Sequence, residues 1–360
     1  MNSRTLIIDL DAILHNVRVI KKITGKKVLA CVKCNAYGMG GTRISKKIEK
    51  EVDWFGVATI DEAVSLRKAG IIKPILVMSP VVPSEIRKAI DHNITLTASS
   101  INFLKEIINT DGISIFLKFD TGMGRTGIMP EDTCEAIKLL RNVKRLKICG
   151  VFSHLSTSES PDKKFAINQI EIFRKILSAI PVKMRGITHI ANSGGIVNLP
   201  ESIEDFSMVR TGLLLYGVYP SLYLRIFKKI PSLKYAIKGM ASVISVRDVP
   251  AGTSISYGRS FVCPEKTTIA VVGIGYGDGL NRSLSNKFYM KHHEDLYPIR
   301  GKICMDQSMI EIKKEMKEGQ PVIFLDEQLS IEDMAEICHT VPHAIMTGFG
   351  VPRLKKVYIG

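Results

Sequence analysis

The sequence has no repeat, no low-complexity tract and no unbroken apolar stretch of membrane-spanning length, which argues against fibrous, disordered and membrane-embedded classes. Its first apolar run, Leu6-Ile7-Ile8, is broken at once by Asp9. The start therefore reads as neither a secretory signal nor an anchor, and the expected location is cytoplasmic. Seven cysteines, an odd and scattered set, do not make a disulfide framework. One Cys-x-x-Cys pair, Cys31 and Cys34, stands without a second pair or a His-Cys cluster, so no metal site is expected. In a strand its two thiols would also face opposite sides. Acidic side chains are in deficit, 35 against 50 Lys plus Arg, giving a net charge of +15. The lysines nevertheless come in dispersed pairs such as Lys21-Lys22 and Lys313-Lys314, with no aromatic-basic stacking run beside them. A basic surface and an anionic ligand fit this pattern better than nucleic acid.

With 360 residues, 45% of them hydrophobic, the chain can bury a large core and predicts two domains of unequal size. Short apolar runs begin at Val28, Trp54, Ile75, Thr95, Ile113, Lys147, Ile187 and Met208, with helical patterns between them. Eight βα units in about 200 residues predict an α/β fold, a parallel eight-stranded (β/α)8 barrel over residues 1–233. From about residue 234 to 360 the pattern changes to strand-like pieces split by Gly and Pro, a smaller, mostly β domain with Ser330–Cys338 as its one helix. Residues 5–10 are candidates for an added strand of that second domain.

Nearly every barrel run closes on a polar residue: Lys33, Thr59, Ser79, Ser99, Asp120, His154, Asn192 and, within the last, Arg210. Such barrels carry their sites at the carboxyl ends of the strands, so these side chains are expected to converge on one mouth. Lys33 ends the run Val28–Val32, where a buried ammonium without a partner is costly; it either reaches solvent or does chemistry. A lysine there could condense with a carbonyl substrate or with pyridoxal phosphate. Asn192-Ser193-Gly194-Gly195 and Arg210-Thr211-Gly212-Leu213 follow the last two strands, where barrel enzymes commonly bind phosphate with backbone N–H groups.

Six segments taken together resemble the alanine racemases: Val32-Lys33-Cys34-Asn35-Ala36-Tyr37-Gly38, Asp120-Thr121-Gly122-Met123-Gly124-Arg125-Thr126-Gly127, His189-Ile190-Ala191-Asn192-Ser193, Ser256-Tyr257-Gly258, Gly275-Tyr276-Gly277-Asp278-Gly279 and Cys304-Met305-Asp306-Gln307. The likeness runs in order over nearly the whole chain. It implies a pyridoxal 5'-phosphate enzyme that interconverts L- and D-alanine, supplies D-alanine for cell-wall peptidoglycan, and works as a homodimer. Lys33 would carry the cofactor and act as the base on one face of the α-carbon, with Tyr257 of a second chain serving the other. His154 and Arg210 would assist that tyrosine, and Arg210 would face the pyridine nitrogen. Tyr37, Ser193, Gly212 and Leu213 would hold the phosphate, and Arg125 with the backbone of Met305 the substrate carboxylate. Lys118 matches a lysine that is often carbamylated, and His189 would support Arg210.

The chain departs from the family pattern at Thr211, where proline is usual, at Gly277, where alanine is common, and at Phe349, where a tyrosine usually helps bind the phosphate. The alternatives are a racemase of the same fold acting on serine or another small amino acid, and a non-catalytic pyridoxal-phosphate-binding protein, which would have no use for Tyr257.

Overall fold

A computed structural model describes residues 4–141, 143 and 145–360. Eight parallel strands wrap into a barrel in the order β8-β7-β6-β5-β4-β3-β2-β9. They are β2 (Lys27–Cys31), β3 (Trp54–Val57), β4 (Ile75–Val77), β5 (Thr95–Ala98), β6 (Ser114–Lys118), β7 (Lys147–Phe152), β8 (Ile187–His189) and β9 (Met208–Thr211). Strands covered by helices outside and by each other within must be apolar on both faces, and Val28, Leu29, Ala30, Phe55, Leu76, Leu96 and Phe116 are fully buried accordingly. Each large side chain of this set contributes roughly 1.5–3 kcal/mol of burial free energy. The ring closes through a parallel ladder between β2 and β9, with Lys27 opposite Met208. Between β8 and β9 the closure is looser, carried by Ser207 N–H to Thr188 O and Arg210 N–H to Ala191 O, both 3.0 Å.

The predicted runs overshoot the ladders by one to three residues at their carboxyl ends. Lys33, Ser79, His154 and Asn192 lie past the last paired residue, in the loops of the barrel mouth, whereas Arg210 sits within β9. Their polar side chains belong to the turns that leave the barrel, which is why the apolar runs end there.

The second sheet runs β15-β14-β17-β10-β1-β18, with β13 joined to β10 and β16 to β13. Here β1 is Arg4–Asp9, β10 Ile237–Val249, β11 Ser254–Ile255, β12 Phe261–Val262, β13 Thr267–Val272, β14 Tyr289–His292, β15 Asp295–Pro298, β16 Ser308–Ile312, β17 Pro321–Leu325 and β18 Lys355–Ile359. The first strand of the chain thus lies between β10, antiparallel with Arg4 opposite Ala241, and β18, parallel with Thr5 opposite Lys355. Asp9 then caps the helix Leu10–Thr24 by accepting from Ala12 N–H at 2.8 Å, and that helix leads into the barrel. Buried Asn16 on the same helix ties it to both parts, donating to Leu215 O (3.0 Å) and Lys234 O (2.7 Å).

Ser330 caps the helix Ile331–Ile337 as its sequence predicts, accepting from Asp333 N–H at 3.1 Å. A second helix, Pro342–Gly348, corrects the expectation of one. It spans two turns, too short for a 3.6-residue period to register, and is started by a proline in its first turn.

Candidate active site

A cavity of about 440 Å³ opens at the carboxyl end of the barrel strands, lined by Lys33, Tyr37, Lys118, Arg125, His154, Ser193, Arg210 and Gly212 among others. The polar closing residues divide: Lys33, Ser79, His154, Asn192 and Arg210 reach the cavity, while Thr59, Ser99 and Asp120 do not. Thr59 caps the helix Ile60–Lys68 instead, in a reciprocal capping box with Glu62.

The loop behind Lys33 has a conformation that no glycine in its sequence announces. Cys34, Asn35, Ala36 and Tyr37 all take positive φ, between 52° and 56°, a left-handed turn built from four consecutive side-chain-bearing residues. Each such residue costs about 1–2 kcal/mol relative to the right-handed region, so the surroundings must impose it. They do so with Gly38 N–H to Cys34 O (2.7 Å), Tyr216 hydroxyl to Ala36 O (3.0 Å), Gly41 N–H to Asn35 Oδ1 (2.7 Å) and Cys34 N–H to Glu62 Oε1 (2.5 Å). Gly38, at φ 84°, then passes so close to the second domain that a Cβ on it would lie 2.5 Å from the Gly350 Cα.

The turn delivers Tyr37, 96% buried, to the cavity wall. Burial raises its hydroxyl well above the usual phenol range, so it is a neutral hydrogen-bond donor. A Cβ at Gly212 would overlap that hydroxyl, so glycine is what allows Tyr37 to stand against the Gly212–Leu213 backbone. Gly212 N–H donates to Ser193 Oγ at 3.1 Å, which gathers three of the four predicted phosphate residues at one spot. The fourth, Leu213, buries its side chain in the core outside the cavity lining.

Across the cavity Arg210, 3% exposed, is held by neutral groups alone. Its Nη2 donates to Ser153 O (2.9 Å), Ile190 O (3.0 Å) and His154 Nδ1 (2.9 Å), and its Nη1 to His189 Nδ1 (2.5 Å). Its Nε has no partner among the described residues. Burial brings its pKa down to about 10, which leaves it cationic near neutrality. Burial, followed by the charges of Arg210, Arg125, Lys118 and Lys33, drives His154 well below its ordinary value; burial and Arg210 do the same to His189. Both imidazoles are therefore neutral, and since each accepts through Nδ1, each carries its proton on Nε2.

Lys118, 5% exposed, donates to Thr126 Oγ1 at 2.6 Å. Burial, then the nearby Arg125 and Arg210, bring its ammonium down to about 8. Arg125 stands on a loop that Asp120 organises: Oδ1 accepts from Gly122, Met123 and Gly124 N–H (2.9, 2.8 and 3.1 Å) and Oδ2 from Arg125 N–H (2.9 Å). Burial opposes ionisation of Asp120, but these four backbone donors prevail and hold its carboxyl below the usual range.

Tyr257 and Met305 are not in this cavity. They are 69% and 52% exposed on the second domain, and Tyr257 lines a separate groove with Ser256, Cys304 and Gln307. The structure brings eight of the predicted residues together and leaves these two facing outward. It also adds residues that the sequence did not single out. Buried Gln169 fixes the His154 loop by donating to His154 O and accepting from Ser156 N–H. His343, from the short second helix, lines the cavity 5.8 Å from the Tyr37 ring. Phe349 is fully buried against Phe324, away from the cavity lining. Among the described residues no helix is long and apolar enough to cross a membrane.

The chain matches the family model of the alanine racemase N-terminal domain over residues 8–220 and that of the alanine racemase C-terminal domain over residues 236–358. It is 37% identical over 369 residues to alanine racemase 2 of Caldanaerobacter subterraneus subsp. tengcongensis, covering 98% of this chain and 94% of that one. With the alanine racemase of Cutibacterium acnes it shares 36% over 372 residues, 98% and 97% of the two chains. Among solved structures it superposes on alanine racemase from E. faecalis with a TM-score of 0.91 at 30% identity, covering 99% and 98%. On the Bartonella henselae enzyme with covalently bound pyridoxal phosphate it scores 0.89 at 27% identity, covering 99% of both chains. Two family models matched in order, over a barrel whose mouth gathers these residues, place the chain in the alanine racemase family.

Proposed function

We propose that this chain is a pyridoxal 5'-phosphate-dependent isomerase that interconverts L- and D-alanine in the cytoplasm and supplies D-alanine for cell-wall precursors. The observation that carries the reading is the charge pattern of the cavity, where Lys33, Lys118, Arg125 and Arg210 face Glu159 as the one carboxylate of the lining. Such a surplus of cation suits a phosphate-bearing cofactor and a substrate carboxylate together. The donor set fits the cofactor: Tyr37 hydroxyl, Ser193 and the Gly212–Leu213 backbone would hold the phosphate, Lys33 the aldehyde carbon, and Arg210 the ring nitrogen. When bound, pyridoxal phosphate links to the substrate amine and withdraws electrons, which makes the α-hydrogen removable.

The chain's own groups then account for inversion. Lys33 takes or returns a proton on one face of the α-carbon. His154 is not a second base within the cavity, because it is neutral with Nδ1 taken by Arg210. Its Nε2–H is a donor, suited to stabilise a phenolate. The exposed Tyr257 of a second copy would supply that phenolate, so the working unit is a homodimer with shared sites. Arg210, cationic and fixed by four contacts, would keep the ring nitrogen unprotonated and so limit charge build-up that leads to side reactions. Arg125 would orient the substrate carboxylate with the Met305 backbone of the second copy. Lys118, with its pKa of about 8, has enough neutral amine at physiological pH to add carbon dioxide, forming a carbamate beside Arg125.

The test is to supply the purified protein with pyridoxal phosphate and follow deuterium wash-in at the α-carbon of L- and D-alanine, with serine and other small amino acids in parallel. Exchange and inversion fastest with alanine are expected. Cofactor uptake without exchange on any amino acid would overturn the reading in favour of a carrier, and faster exchange on serine would move the substrate.

A further inference from the structure

Lys33 has neither a hydrogen-bond nor an ion-pair partner among the described residues, so of its geometry only the point and direction of its Cα–Cβ bond are fixed, and the backbone fixes them. That backbone is gripped from outside the loop. The N–H of the Lys33–Cys34 peptide donates to Glu62 Oε1 at 2.5 Å, across 28 residues of sequence. The same carboxylate, through Oε2, accepts from Ala58 N–H (2.8 Å) and Thr59 N–H (3.3 Å) at the end of β3. Glu62 has no basic partner among the described residues; its charge is spent wholly on backbone donors from two neighbouring barrel units.

We infer that Glu62 is a positioning residue for Lys33, a carboxylate clamp that sets where the Lys33 amine stands in the cavity. Fixing one peptide plane fixes ψ of Lys33 and φ of Cys34 together, and Cys34, at φ 52°, is the first of the four left-handed residues. The direction in which the Lys33 side chain leaves the backbone follows from that plane. Helix capping alone does not require this arrangement, since a capping glutamate serves its own N-terminus, whereas here one oxygen is given to the adjacent unit. A carboxylate also offers what glutamine does not, two acceptor oxygens facing donors on both sides.

This inference rests on the reading of Lys33 as the cofactor-bearing residue, and its test separates the two. Full-length wild type, Glu62→Ala, Glu62→Gln and Thr59→Ala, freed of cofactor, are titrated with pyridoxal phosphate and with pyridoxamine phosphate. The second ligand carries an amine in place of the aldehyde and cannot bond to Lys33. Loss of a charge-assisted hydrogen bond predicts pyridoxal phosphate affinity weakened roughly tenfold or more in Glu62→Ala and by a smaller factor in Glu62→Gln. Pyridoxamine phosphate affinity is expected to change less than about threefold in both, since the phosphate anchors are untouched. Thr59→Ala weakens the helix cap without touching Cys34 and is expected to leave the ratio of the two affinities at the wild-type value. An unchanged ratio in the glutamate variants, or the same change in Thr59→Ala, would overturn the clamp. Should Glu62→Ala fail to fold, the ratio in Glu62→Gln decides. Wild type that takes up no pyridoxal phosphate would remove the functional reading and this inference with it; wild-type uptake with unaltered ratios would remove the inference alone.

Discussion

Arg210 donates to Nδ1 of His154 at 2.9 Å, and among the described residues neither side chain bonds to a carboxylate. A buried guanidinium is thereby compensated by two neutral imidazoles, His154 and His189, and by two carbonyls. Each imidazole must stay unprotonated, because protonation would set a second cation against the first and remove the acceptor.

That arrangement gives acid sensitivity a definite sign. His154 and His189 are held well below the ordinary imidazole range in the folded chain and titrate near pH ~6.5 when unfolded. The unfolded state therefore binds more protons below pH 6.5, and the stability these groups contribute is present above that pH and lost as pH falls. Each adds a slope of at most about 1.4 kcal/mol per pH unit. Urea unfolding between pH 7.5 and 5 should show falling stability, and His189→Asn, which keeps an acceptor for Arg210 without the titration, should flatten it. An equal slope in the variant would assign the acid loss to other groups.

Gly212→Ala is expected to weaken pyridoxal phosphate binding by roughly tenfold or more, because the new methyl would displace the Tyr37 hydroxyl. Displacing the buried Tyr37 ring also costs about 1–3 kcal/mol of packing, so the thermal midpoint should fall as well. A cofactor titration beside a melting curve checks both halves.

Asp120→Asn keeps one acceptor oxygen where the carboxylate uses two for four N–H groups. The cost is about 1–3 kcal/mol of loop order. Since that loop carries Arg125, KM for alanine should rise more than kcat falls. A change confined to kcat would mean that the loop does not orient substrate.

If each site joins Lys33 of one chain to Tyr257 of another, then chains of Lys33→Ala and Tyr257→Phe, inactive apart, complement when mixed. Random pairing makes half of the dimers mixed, each with one intact site, so roughly a quarter of wild-type activity should return. Activity that stays near zero after subunit exchange would place both groups on one chain.

The barrel was legible because its strands are buried on both faces, so starts such as Trp54, Ile75, Thr95, Lys147, Ile187 and Met208 coincide with the onset of apolar runs. Where a second-sheet strand is mixed in character the signal fails: Tyr289–His292 and Lys355–Ile359 each carry lysine among too few apolar residues to form a run, and the second lies at a sheet edge. Pro298–Ile303 reads as a strand, but the ladder ends at Pro298, Ile299 makes only an isolated bridge to Ile310, and Gly301 turns at φ 73°. At the site, residue types pointed to Lys33 and Arg210, since cations at strand ends are conspicuous. The left-handed turn was not visible, because Cys-Asn-Ala-Tyr carries no glycine and its conformation is imposed by contacts far away in sequence. Glu62 caps its own helix with Thr59, but its bond to the Cys34 N–H depends on how two barrel units stand side by side, which the local sequence does not carry.

The placement of β1 has a consequence for synthesis. Arg4–Asp9 is made before the barrel strands, yet its two neighbours in the sheet, reaching Ala241 and Lys355, are made after them. During synthesis this apolar strand stays without its partners while the barrel strands emerge, and the sheet cannot close on both its sides before Lys355–Ile359 has been made. The connectivity thus allows the barrel to be complete before β1 is paired, with that strand as the latch.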